Sequence, residues 1–133
     1  IYCHLRFNLT IKENFMRKYL GLTISLFIIL GAVRHVGINF FIDIYSLLMV
    51  GGGATGYSLL KTKNNNYIFC FGEGAIYFGW LGTLIGLIAL TGGKWDNWGD
   101  IEKMGPALSV AMLTIFYGYT FKLITLPFDK NNT

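Results

Sequence analysis

The chain has 133 residues, of which 53% are hydrophobic and only 14% charged, and its net charge is +4. A soluble domain carries about a quarter charged residues, so this composition, with a mean hydropathy of +0.50, excludes an ordinary soluble globule and points to a membrane protein. The lysines and arginines stand at the ends of apolar runs instead of clustering on one face, which excludes a nucleic-acid binder.

The first element is expected near the N-terminus. From Met16 the sequence reads MRKYLGLTISLFIILGAV, a basic pair followed by an apolar run. This reads as a natural start, with residues 1–15 an upstream extension and 1–18 a cytoplasmic N-terminal segment. No small-x-small cleavage site closes the run, so it reads as a retained helix and not as a signal peptide. The run itself, Tyr19 to Val33, spans only about 22 Å as a helix, short of the roughly 30 Å hydrocarbon core. It must extend past Arg34 and His35 or sit in thinned bilayer.

The second run, Ile38 to Leu60, is interrupted by Asp43 and contains the glycine-rich GGGATG at 51–56. Asp43 is expected to mark the outer end of this helix. With the first run it makes a hairpin over residues 19–60. Residues 61–66 (KTKNNN) form a short polar loop, expected on the cytoplasmic side. The third run, Tyr67 to Leu90, is broken only by Glu73. A polar loop from Gly92 to Lys103 follows, with Trp95 and Trp98 suited to headgroup depth. The fourth run, Met104 to Phe128, is broken only by Lys122, so residues 67–128 form a second hairpin and 129–133 a tail.

The expected fold is therefore all-α, an integral membrane protein of four transmembrane helices in two hairpins. Orientation follows from the basic residues outside the spans. Arg34, Lys94 and Lys103 fall on one side and the other eight of the eleven on the opposite side, which makes the latter cytoplasmic and both ends of the chain cytoplasmic.

The last two helices carry stripes of small residues. Ala75, Gly79, Gly82, Gly86, Ala89 and Gly93 recur at spacings of four and three, one continuous helix face. Ala107, Ala111, Thr114 and Gly118 do the same in the fourth helix. Lipid supplies little hydrophobic drive between helices, so such faces mark close backbone packing. The spacing does not say what packs there. Thr83, next to Gly82, and Thr114 either line a narrow polar path beside these faces or bond back to carbonyls of their own helices.

Ionisable residues inside apolar runs are costly and suggest a purpose. Glu73 lies six residues into the third helix and Lys122 six residues before Phe128. Antiparallel packing would set them at one depth, so they form a structural ion pair, or else Lys122 snorkels to the interface and Glu73 stays solvated. Cys3 and Cys70 lack metal-ligand spacing, and His4 and His35 lie outside the runs or at the end of one. No nucleophile–base arrangement, paired carboxylates, phosphate loop or CxxC is present. The expectation is no enzyme, no metal and no cofactor.

The stretches GWLGTLIGLI (79–88) and GPALSVAMLTIFYG (105–118) resemble the MotA/TolQ/ExbB proton-channel family, most of all its MotA flagellar stator branch. FIDIYSLLMVGGGATG (41–56) is similar to that branch's second-helix motif, and LPFD (126–129) to the family's exit from the last helix. The resemblance implies a homopentamer in the bacterial inner membrane around a single-helix partner of the MotB/ExbD/TolR kind. That partner would supply an ion-binding aspartate, and the last two helices would line the inner cavity. It implies that Thr83 and Thr114 face the aspartate, and that Pro106 matches the family's proline near the start of the last helix. The expected function is an ion-channel subunit, with the proton as the expected ion, that converts an ion gradient into motion of a partner membrane protein. The alternative is a structural or degenerate four-helix subunit that conducts nothing. This sequence departs from the stator pattern in three places. KTKNNN stands where stators carry a large cytoplasmic domain, Tyr45 replaces the second-helix proline, and Ile115 follows Thr114 where some members have a second threonine.

Overall fold

The computed structural model describes residues 2–61, 66–92 and 100–128. The described residues hold four long helices: α1 (Tyr2–Val36), α2 (Ile44–Lys61), α3 (Tyr67–Gly92) and α4 (Ile101–Thr125), with short 3-10 turns at Ile38–Phe41 and Leu126–Phe128. Four segments are long and apolar enough to cross a membrane: Phe15–Val36, Ile38–Lys61, Tyr67–Gly92 and Met104–Phe128. The chain is an all-α, multi-pass membrane protein. Gly93, Trp95, Trp98 and the tail 129–133 lie outside the described residues, as do positions 62–65 of the loop.

The chain divides into two units, residues 1–38 and 39–133. The first is α1. The helix runs unbroken from Tyr2, through the stretch expected as an N-terminal extension, to Val36. The apolar run also extends past Arg34 and His35, giving a span of 22 residues and a length of about 33 Å, enough for the core. Hydroxyls within the span are satisfied by their own helix: Thr23 donates to the Tyr19 carbonyl and Ser25 to that of Gly21, both at 2.9 Å. The helix ends at Gly37, whose N–H reaches the Val33 carbonyl at 3.0 Å. Its φ of 118° is one that a side chain would resist.

In the second unit, α3 and α4 form an antiparallel pair and α2 packs mainly on α3. Its core is small. Val50, Ala54 and Ala75 are fully buried, with Phe71, Tyr117 and Phe121 packed around them. Large apolar side chains point outwards instead, as Leu60 (90% exposed) and Ile88 (65%) show. That inversion suits a chain whose solvent is hydrocarbon.

Asp43 starts α2. Its carboxylate accepts hydrogen bonds from the Ser46 N–H at 2.8 Å and from the Ser46 hydroxyl, and its carbonyl accepts from the Leu47 N–H at 3.0 Å. This is the N-cap arrangement that satisfies amides otherwise orphaned at a helix start. The acid interrupting the second run is therefore the reason α2 begins where it does. Asn66 plays the corresponding main-chain role for α3, its carbonyl accepting from the Cys70 N–H at 3.1 Å.

Candidate functional site

The small-residue stripes of α3 and α4 meet each other. The register is antiparallel: a Cβ added at Gly86 would fall on Ala111, one at Gly82 on Thr114, one at Gly79 on the Thr114 carbonyl and the Gly118 Cα, and one at Gly72 on Thr125. From the other side, a Cβ at Gly118 would lie 2.6 Å from the Ala75 carbonyl oxygen. Ala75 and Ala111 are buried, while Ala89 and Ala107, farther along the same faces, are exposed. The two helices thus touch backbone to backbone around Gly79 and Gly118 and leave their small residues uncovered towards the loop that joins them. Gly53 and Gly74 serve the α2–α3 contact: the Phe78 ring fills the space beside Gly53, and Tyr57 lies against Gly74.

This close approach brings Thr83 and Thr114 together. Their hydroxyl oxygens are 3.0 Å apart, at 7% and 4% residue exposure. Each also reaches the same two main-chain carbonyls. Thr83 Oγ1 lies 3.1 Å from the Gly79 oxygen and 2.8 Å from that of Ala111; Thr114 Oγ1 lies at the same two distances from the same two atoms. The bond back to the hydroxyl's own helix, one of the two readings left open by spacing, is present for both threonines, and each also reaches a carbonyl of the other helix. Thr55, Thr91, Thr120 and Thr125 show bonds to carbonyls of their own helices. Two hydroxyl protons serve this four-oxygen cluster. When both go to carbonyls, the hydroxyl oxygens keep lone pairs that can accept from an incoming donor.

Beside the cluster runs a groove of about 370 Å³ between the head of α2, the C-terminal half of α3 and the N-terminal half of α4. Tyr45, Ser46 and Met49 form one wall, and Gly82, Gly86, Ala89, Ala107, Ala111 and Thr114 are among the residues of the others. Its lining is almost wholly apolar, with Ser46 and Thr114 as its buried hydroxyls. Pro106 lies within α4, one turn before Val110, and is exposed. It lies past the first turn, which the Met104 N–H already closes onto the Asp100 carbonyl, and so removes the amide that would pair with the Glu102 carbonyl.

The expected Glu73–Lys122 pair is not the one that forms. Glu73 Oε2 is 2.7 Å from the Lys61 ammonium, while the Lys122 ammonium lies 4.2 Å from the centre of the Phe69 ring. The matched depth was correct, because Gly72 packs against Lys122 and Thr125. The direction was not. Glu73 is turned about 100° from Gly72 around the helix, towards α2. There Lys61, read from sequence as a loop residue, is the last residue of the helix and also contacts the Tyr57 hydroxyl at 3.3 Å.

Sequence reasoning missed Tyr117. Its hydroxyl accepts from the Asp43 N–H at 3.2 Å and donates to the Phe41 carbonyl. One tyrosine in an aromatic-rich FYGY carries no spacing signal that would single it out. Among the described residues, no three His, Cys, Asp or Glu side chains gather as metal ligands.

Residues 58–131, more than half of the chain, match the model of the MotA/TolQ/ExbB proton channel family. The match contains Thr83, Thr114, both stripes and Pro106. Among individual proteins, the chain is similar to the chemotaxis protein PomA of Vibrio alginolyticus, at 39% identity over 57 residues. Those residues are 43% of this chain and 21% of PomA, so the similarity spans about a fifth of that relative's length. No solved structure matches the chain significantly. The glycine-packed helix pair with its shared hydroxyls lies inside the matched region, and the chain belongs to the MotA/TolQ/ExbB proton channel family.

Proposed function

We propose that this chain is a minimal MotA-like ion-channel subunit that couples proton flow to motion of a partner membrane protein. The observation that carries the reading is the buried Thr83–Thr114 pair on the glycine-packed face of α3 and α4, within the family match. In this reading the subunit forms a homopentamer in the bacterial inner membrane, with both ends cytoplasmic, residues 19–60 as outer scaffold and 67–128 lining the cavity. A single-helix partner contributes an aspartate. Thr114, which lines the groove, meets that aspartate first and Thr83 stands behind it.

The chemistry follows from burial. A carboxylate entering a low-dielectric cavity favours its protonated form. Its proton can then be donated to a threonine oxygen whose own proton is held by a main-chain carbonyl. Rotation of that hydroxyl lets it donate to the ionised acid instead. The threonines thus serve both states of a group that the chain itself lacks. The residues of α2 and α3 are joined by KTKNNN, so coupling to a flagellar rotor through a large cytoplasmic domain at that place forms no part of this proposal.

A second reading, a structural subunit without conduction, draws on the same hydroxyls, because their bonds already hold α3 to α4. The two are separated by purifying the native complex in mild detergent, determining its stoichiometry and measuring proton flux in vesicles loaded with a pH dye. A five-fold ring around a single-helix protein with one intramembrane aspartate is expected, with flux lost on combining Thr83→Val and Thr114→Val. Flux that survives both substitutions refutes the path, and the absence of flux from the intact complex favours the structural reading.

A further inference from the structure

The second candidate span is not one helix. Ile38–Phe41 is a 3-10 turn, α2 begins at Ile44, and Ile42 and Asp43 belong to neither. A break in a helix leaves peptide groups that the helix no longer pairs, and these need partners from elsewhere. Part of this joint is closed locally, by the Asp43 carboxylate on Ser46 and the Asp43 carbonyl on Leu47. The Asp43 N–H and the Phe41 carbonyl are both served by a single atom of α4. The Tyr117 hydroxyl accepts from the first at 3.2 Å and donates to the second. The Phe41 ring also meets Phe116 edge-on, with centroids 5.2 Å apart.

Tyr117 follows Thr114 by three residues, so the two share one turn of α4. Through Thr114 that turn is bonded to α3, and through Tyr117 to the head of α2. Ser46, held by the Asp43 cap, lines the same groove as Thr114.

We propose that Tyr117 is a positioning residue: its hydroxyl clasps the Phe41–Asp43 joint to α4 and so sets the spacing between Ser46 and Thr114 across the groove. The effect on ion flow rests on the path proposed above; the clasp does not.

Tyr117→Phe removes one oxygen and keeps the ring, which packs on Val50, Ala54 and Ala75. The test is residue-resolved amide hydrogen exchange on the full chain in lipid nanodiscs, with proton flux through the purified complex. Exchange at the Asp43 amide should rise roughly tenfold, the scale of one lost hydrogen bond, while the amides of Gly82 to Gly86 keep their protection and flux falls several-fold. Tyr117→3-fluorotyrosine, which retains the hydroxyl, should restore both. Unchanged exchange at Asp43, a general rise throughout α3 and α4, or normal flux with a freely exchanging Asp43 amide would each overturn the proposal. If Tyr117→Phe does not assemble, Tyr117→3,5-difluorotyrosine, a weaker acceptor, should still raise exchange at Asp43, and equal exchange overturns the clasp. Should the threonine variants leave flux intact, the path fails while the exchange at Asp43 still decides the role of Tyr117.

Discussion

Gly118→Ala adds one methyl group where α4 touches α3 most closely. The new Cβ would lie 2.6 Å from the Ala75 carbonyl oxygen and 3.3 Å from the Gly79 Cα. Both are main-chain atoms, so no rotamer change relieves the contact. A carbon–oxygen approach of about 3.3 Å is the closest that is ordinarily comfortable, which asks the helices to part by roughly 0.7 Å. One turn away, the cross-helix distances of the hydroxyl cluster, 2.8 to 3.1 Å, would open to about 3.5 Å or more, beyond a useful hydrogen bond. Overpacking costs about 1–3 kcal/mol, and two interhelical bonds in a membrane add about 0.6 kcal/mol each. Alanine returns up to about 1 kcal/mol in helix propensity. The net loss is about 1–3 kcal/mol. Gly56→Ala is the control, because a Cβ there meets nothing within 4 Å and only the propensity gain remains. Thermal unfolding of both variants in nanodiscs, followed by tryptophan fluorescence, measures the difference. A Gly118→Ala chain as stable as Gly56→Ala would refute the backbone contact and the register built on it.

A double-mutant cycle of Thr83→Val and Thr114→Val, read by the same unfolding assay, should give a coupling energy of about 0.5–1 kcal/mol; strict additivity would mean that the hydroxyls do not bond each other. Asp43→Ala should cost about 1 kcal/mol through loss of the cap on α2, whereas Asp43→Asn, which can still accept from Ser46, should cost a few tenths. Lys61→Met and Glu73→Gln should be non-additive in stability at low salt, with the coupling fading as salt rises. Lys122→Met combined with Glu73→Gln should be additive, and the opposite pattern would return Lys122 to the acid.

Much of this architecture is readable along the chain, and the unreadable part is of one kind. Spacing revealed the Gly/Ala faces, and residue offsets from helix ends put Glu73 and Lys122 at the same level. Both are properties along or around a single helix. Which face meets which neighbour is a property of three helices at once. Glu73 went to Lys61 because Gly72, one residue earlier, occupies the α4 side. Asp43 was legible as a helix end because an acid in an apolar run has few comfortable places. Tyr117 was not, because its task is set by two peptide groups on α2's approach, more than seventy residues away. The hydroxyls were found by their neighbours in the stripe, but only the approach permitted by Gly79, Gly82 and Gly118 shows that they act as one cluster.

Among the described residues, the buried positions of the second unit are glycine, alanine, serine and threonine except for Val50 and Leu113, while most of its bulky aliphatic side chains face outwards. This reverses the usual rule of mutational tolerance. In a water-soluble protein the vulnerable positions are large residues cut down to size. Here Leu60, Ile88 or Met112 can shrink with little effect on the bundle, and the fragile positions are those with the least side chain to lose. A substitution scan of this chain sorted by hydrophobicity would look featureless. Sorted by added volume, it would trace the line along which α3 and α4 touch, one intolerant position per turn.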